Sequence, residues 1–97
     1  MARGENTYWY CSANNTSNHK LIAYYSGVFT GDSLDGNKFT VAWDNYLGSR
    51  YGNITGQCFS TSQFVNNTKE QARTDRDGAA KLAKGNGFEI VFTDWTY

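Results

Sequence analysis

Ninety-seven residues with nine basic and nine acidic side chains give a chain of zero formal charge, in which six Phe, seven Tyr and three Trp supply most of the large apolar surface. That length holds one domain around a single core of two packed layers, with no room for a separate cofactor domain. The charge balance excludes a global field for nucleic acid or an anionic membrane, and no apolar run is long enough for a membrane span.

Met1 is followed by the polar start ARGENT rather than by the apolar segment of a secretory signal. Two β-rich runs come next, 7–13 (TYWYCSA) and 21–29 (LIAYYSGVF). They are separated by 14–20 (NNTSNHK), whose residues tolerate turn geometry, so the pair predicts an antiparallel hairpin. After the loop 30–37 (TGDSLDGN), the stretch 38–52 repeats Phe39, Trp43, Tyr46 and Leu47 at helical spacing. Asn37 is placed to cap that helix, and Gly48 or Gly52 to end it.

A short strand is predicted over 53–60 (NITGQCFS), followed by the loop 61–67. From Thr68 the pattern Thr68 to Gln71 is a capping box. Ala72, Ala79, Leu82 and Ala83 then form a thin packing stripe that ends at Gly85, with Gly78 as the weak point. The segment 88–96 alternates Phe88, Ile90 and Phe92 against Glu89, Val91 and Thr93, a closing strand. The order β-β-α-β-α-β predicts an α+β two-layer sandwich, a mainly antiparallel four-stranded sheet with two helices on one face.

Hairpin register decides which aromatics turn inward. With Cys11 opposite Ala23, the inner face takes Trp9, Cys11, Ala13, Leu21, Ala23, Tyr25 and Phe29. Cysteine is among the most buried residue types, so its face is assigned to the core. Tyr8, Tyr10, Tyr24 and Ser26 then lie on the outer face, a displayed tyrosine cluster of the kind recognition surfaces use, since the rings give large contact area at low side-chain entropy. The same tyrosines also suit an uncovered sheet face through strand propensity alone.

The two cysteines allow one bridge, Cys11 to Cys58, and no zinc quartet or CxxC pair; the alternative is two buried thiols in a reducing compartment. His19, the single histidine, sits between Asn18 and Lys20 in the predicted turn without a positioned partner, which reads as a solvated turn residue; a nucleophile pair with Cys11 would compete with the bridge. Asp75, Asp77 and Gly78 follow the order of a calcium loop, but Arg73 and Lys84 stand where carboxylates are needed, so an exposed helix face explains them better. Asp32 and Asp35 suit turn and cap geometry, and Asp94 beside Trp95 has no identifiable partner. Asn14, Asn15, Asn53 and Asn66 each begin an N-x-S/T triplet at a frequency close to chance for this composition. No metal or cofactor site is expected. An RNA-stacking sheet is disfavoured by the element order, by the neutral charge and by the missing basic-Gly-aromatic run.

Several stretches, YWYCSA, YYSGVF, YLGSRYG, GQCFS and the terminal VFTDWTY, resemble a small bacterial module, often found in exported proteins. That module has a YCxA strand, a YxSxVF strand and a cysteine shortly after the first helix. The resemblance implies a Cys11 to Cys58 pairing and an extracytoplasmic setting, secreted or periplasmic, and carries no activity with it. The chain departs from the pattern at Phe59, where a proline often follows the second cysteine. The sequence as a whole reads as a non-enzymatic protein-binding module. It would contact a protein partner or a second copy of itself through the outer tyrosine face, Tyr8, Tyr10, Tyr24 and Ser26, or through the 14–20 turn. A small enzyme with a Cys/His or carboxylate site, and a single-stranded RNA-binding sheet, are the competing readings.

Overall fold

The computed structural model describes residues 6–16, 20–61 and 68–97. In chain order the elements are β1 (Asn6–Asn15), β2 (Ile22–Tyr25), β3 (Phe29–Asp32), α1 (Gly36–Arg50), β4 (Gly56–Ser60), α2 (Lys69–Gly85) and β5 (Glu89–Phe92). The α+β class holds, with a five-stranded mixed sheet. β1 runs through its middle. β4 pairs antiparallel along one edge of β1, while β2 and β3 lie end to end along the other, also antiparallel; β5 adds to β2 in parallel.

The expected hairpin forms, but its second strand is broken. Ser12 to Asn15 pair with Tyr25 to Ile22, and Asn6 to Trp9 pair with Asp32 to Phe29. Between them Tyr10 and Cys11 face three residues, Ser26, Gly27 and Val28. One residue is therefore extra, the defining feature of a β-bulge. Ser26 closes the gap. Its N–H donates to Cys11 O at 2.9 Å, and its Oγ accepts from Cys11 N–H at 2.7 Å and donates to Gly27 O at 2.8 Å.

Register corrects the expected placement of side chains. Ala13 lies opposite Tyr24, not in line with a Cys11–Ala23 pair. The offset is odd, and an odd offset exchanges the two faces of a strand. Trp9, Cys11 and Ala13 do lie on a core face as expected, but they share it with Tyr24 and Phe29 beneath Phe39, Trp43 and Leu47 of α1. Ala23 and Tyr25 point the other way and pack with Ala80 of α2, bordered by Ala79, Ala83, Phe88 and Ile90. The helices thus cover opposite faces, where one face was expected to carry both.

α1 uses the predicted stripe, with Phe39, Trp43 and Leu47 buried. Its first turn begins after Asp35 rather than Asn37, Phe39 N–H donating to Asp35 O at 3.1 Å. Gly31 and Gly56 make room for its rings. A Cβ on Gly31 would collide with the Phe39 ring, and one on Gly56 would meet Trp43 Nε1 and Ser12 O. Trp43 is therefore drawn close enough to donate from Nε1 to Ser12 O at 3.0 Å. Trp9 is buried too, at 5% exposure, but its Nε1 has no partner among the described residues.

α2 starts as the capping box predicts, Thr68 Oγ1 accepting from Gln71 N–H at 3.1 Å. It stops in a Schellman arrangement: Gly87, at φ +93°, donates to Lys84 O, and Phe88 N–H reaches back to Ala83 O. Its buried residues are the alanines Ala72 and Ala80.

Gly78 lies in mid-helix, and a Cβ there would meet no atom within 4 Å. Gly78→Ala is expected to stabilise the protein by about 0.5–1 kcal/mol, because it removes backbone entropy from the unfolded chain without a clash. Gly56→Ala, which must push Trp43 off its site, is expected to cost about 1–3 kcal/mol. Urea denaturation of the two variants checks both signs.

Candidate binding cleft

Most of the tyrosine surface expected from the sequence is interior. Tyr10 is 5% exposed, Tyr24 4% and Ser26 0%; Tyr8 is half-buried. Tyr24 lies under α1 because of the register, and its ring packs against that of Tyr51 at a 35° tilt with centroids 4.5 Å apart. Tyr10 does occupy the face away from Cys11, but α2 covers that face. Its hydroxyl donates to Asp75 Oδ2 at 2.6 Å, and its ring sits 5.4 Å from that of Phe59. Ser26 is the bulge residue, and its carbonyl accepts from Arg76 Nη1 at 3.3 Å. A displayed face made of these residues is therefore not available to a partner.

Other expectations find plain structural roles. Cys11 and Cys58 stand directly opposite on β1 and β4 with their sulfurs at disulfide-bonding distance and Cα atoms 3.9 Å apart. Both backbone groups of Cys11 are directed at Ser26, so the Cys11–Cys58 pair is a non-hydrogen-bonded one, the site where antiparallel side chains come closest. Asp32 makes a turn, its Oδ1 accepting from Leu34 N–H at 2.8 Å. Asp75 and Asp77 lie within α2 rather than in a loop, Asp75 bound to Tyr10 and Asp77 paired with Arg76 at 3.0 Å. His19 falls outside the described residues. Among those residues no group of three or more His, Cys, Asp and Glu side chains could hold a metal ion.

The structure instead builds a cleft where the last turn of α1 meets the segment after β5. Tyr46, Arg50 and Tyr51 come from the helix end, and Thr93, Asp94 and Trp95 from the segment; with Phe92 they line a hollow of about 420 Å³. The segment is fixed by continued pairing with the second hairpin strand. Thr93 N–H donates to Tyr25 O at 2.8 Å, Thr93 Oγ1 to the same oxygen at 3.0 Å, and Gly27 N–H to Trp95 O at 2.8 Å.

The rings are held from below. Trp43, fully buried, lies 5.8 Å from Tyr46 at an interplanar angle of 17° and 5.3 Å from Trp95. Tyr46 and Trp95 are 6.0 Å apart and tilted by 33°, and Tyr51 meets Tyr46 edge-on at 6.4 Å. The Arg50 guanidinium lies 5.6 Å from the Tyr46 centroid. Partial burial raises the Tyr51 hydroxyl above its ordinary value, and the neighbouring Tyr46 hydroxyl adds to the shift. The cleft presents core-backed rings, phenol hydroxyls, one guanidinium and one carboxylate. Such an arrangement can bind and orient a polar molecule. It holds no nucleophile matched to a general base.

A smaller hollow of about 280 Å³ between β1 and β4 is lined by Ser12, Ala13, Asn14, Thr55, Gly56 and Gln57, with no ring or ionisable side chain. Tyr46 was legible in the sequence as part of the helix stripe, and Asp94 and Trp95 as an unpartnered pair. The signal for the site was Tyr46, Arg50 and Tyr51 at one helix exit, where spacings of four and five place them side by side. Comparison with models of known protein families, with curated protein sequences and with solved structures returns no match to this chain.

On the opposite face, burial holds the Tyr10 hydroxyl well above its ordinary value, its hydrogen bond to Asp75 pushes it further, and burial raises Tyr25 as well. Unfolded phenols ionise near pH 10. Above that pH the unfolded chain sheds protons that the folded chain keeps, so the stability these groups contribute is complete below about pH 10 and falls as pH rises. Tyr10→Phe is expected to flatten that alkaline slope and to cost about 1.5–3 kcal/mol at pH 7, where Asp75 loses its donor. Denaturation midpoints at pH 7 and at several values above 9 measure both effects.

Proposed function

We propose that the chain is a non-enzymatic binding module whose recognition site is the cleft of Tyr46, Arg50, Tyr51, Asp94 and Trp95. The observation that supports this reading is the pair of ring contacts, 5.8 and 5.3 Å long, that join Tyr46 and Trp95 of the cleft wall to the buried Trp43. Rings fixed by the core lose little freedom on binding, and the surface of the hollow is mainly polar, with hydroxyls, a guanidinium and a carboxylate converging on it. The interaction function read from the sequence is kept, and its surface moves from the hairpin to the helix exit.

The RNA-binding alternative needs an open sheet face for stacking, and each face here carries a helix. No helix among the described residues is long and apolar enough to cross a membrane. The paired cysteines are compatible with an oxidising compartment, which supports the extracytoplasmic setting that the sequence resemblance implies.

Amide shift mapping against a soluble fragment library tests the site. Hits are expected to gather on residues 46–51 and 92–95 and to disappear in the double variant Arg50→Ala, Asp94→Ala, whose side chains are exposed and whose melting temperature should fall by no more than about 8 °C, since surface changes rarely exceed about 0.5 kcal/mol each. Hits spread evenly over the surface, or unaffected by the double variant, would overturn the reading.

A further inference from the structure

Resting on that reading of the cleft, we infer that its ligand is a neutral saccharide, taken with a sugar ring face against Trp95 and its hydroxyls shared among Asp94, Arg50, Tyr46 and Tyr51. The charges point there first. The cleft holds one guanidinium and one carboxylate, in a chain whose total charge is zero. An anionic ligand would meet Asp94 as a like charge, and a cationic one would meet Arg50. A neutral ligand uses both.

The donor and acceptor inventory narrows the class further. Arg50 only donates, an ionised Asp94 only accepts, and the Tyr46 and Tyr51 hydroxyls do either. Vicinal hydroxyls, each able to donate and to accept, fit such a mixture. The rings supply the other half of sugar chemistry: an aromatic face is the negative lobe of a quadrupole and attracts the polarised C–H groups on one side of a pyranose. Trp95, half-buried and backed by Trp43 at 5.3 Å, offers that face, while the Tyr46 ring lies between Trp43 and the Arg50 guanidinium and contributes its hydroxyl.

A peptide is a poorer fit. Extended peptides bind by adding to a sheet edge, and the edge toward β2 is already taken, Thr93 N–H by Tyr25 O and Trp95 O by Gly27 N–H, which confines peptide addition to the outer edge of β5. A nucleic acid is poorer still, because phosphates need an excess of cations that Arg50 beside Asp94 does not provide.

The test is an array of neutral glycans, covering α- and β-linked glucans, mannans, galactans, xylans and N-acetylglucosamine oligomers, probed with the full chain. Positive glycans are then titrated against intrinsic tryptophan fluorescence, in which Trp95 is the half-buried reporter while Trp9 and Trp43 are buried. Saturable binding is expected, weakened about fivefold or more in Asp94→Asn, which removes one acceptor without moving the melting temperature, and in Tyr51→Ala, which removes hydroxyl and ring and lowers the melting temperature because the ring packs on Tyr24. An anionic glycan such as a heparin oligosaccharide should bind no better than the neutral ones.

If no neutral glycan binds while fragments still gather in the cleft, the saccharide assignment is overturned and the binding site stands. If fragments avoid the cleft as well, both fall. Glycan binding that survives Asp94→Asn and Tyr51→Ala together would also overturn the assignment, since the sugar would then sit elsewhere.

Discussion

One extra residue opposite Cys11 organises this molecule. A strand paired in unbroken register with β1 would place residues 24 and 29 on opposite faces, because their separation is odd. The bulge at Ser26 removes that constraint, so Tyr24 and Phe29 both join Trp9 and Cys11 under α1, while Ala23 and Tyr25 remain for α2. Ser26 itself is fully satisfied. Ser26 offers N–H, Oγ and carbonyl, and each has a partner: Cys11 on the same sheet, Gly27 next along the chain and Arg76 from α2. A buried bulge with orphaned backbone groups would cost on the order of 1–3 kcal/mol for each, so a short hydroxyl side chain at this position is a requirement of the topology.

The two faces are stabilised by different chemistry. Beneath α1 the contacts are ring on ring, Phe39 with Trp9 at 5.1 Å and with Phe29 at 5.2 Å, both edge-on, and they bury large apolar area. Beneath α2 the helix offers mainly alanine, which brings its backbone near the sheet but buries little. Polar links take over part of the work there. Tyr10 binds Asp75, and Arg76 reaches Ser26 while its guanidinium lies 5.2 Å from the Phe92 ring. Losing such a link costs more than its share of area suggests, because the partner stays partly buried and unpaired.

Both helices and the capping box at Thr68 were legible in the sequence from spacing and local hydrogen bonding, and the Cys11–Cys58 pairing from there being two cysteines; the element order was legible except that the second hairpin strand is divided into β2 and β3. Register was not. Period-two alternation says that neighbours in a strand alternate, but it does not say which residue of one strand faces which residue of the next. The polar loop after β1 left that offset open. Nor does alternation announce a bulge, since the run around Ser26 reads equally well as continuous strand. Both helices were therefore laid on one face, and Tyr10 and Tyr24 were turned toward solvent. The cleft was hidden for a related reason. Its residues come from a helix exit and from the segment after the last strand, which only the parallel pairing of β5 with β2 brings together.

That parallel pairing carries the geometry through to the cleft. Along β5, Ile90 packs toward α2 and Val91 toward α1. Extending the same alternation puts Thr93 and Trp95 on the α1 side, where the hydrogen bonds to Tyr25 O and from Gly27 N–H hold the segment against the sheet. Gly27 permits this approach, because a Cβ there would stand 2.9 Å from Thr96 Cγ2. Trp95 then meets Trp43 and Phe29, so its inner side belongs to the core while its outer side faces the hollow. The cleft wall and the folding core are consequently one aromatic assembly. A ligand entering the cleft finds rings whose orientation folding has already set, and the same bulge that sorts the sheet's two faces sets the position of those rings.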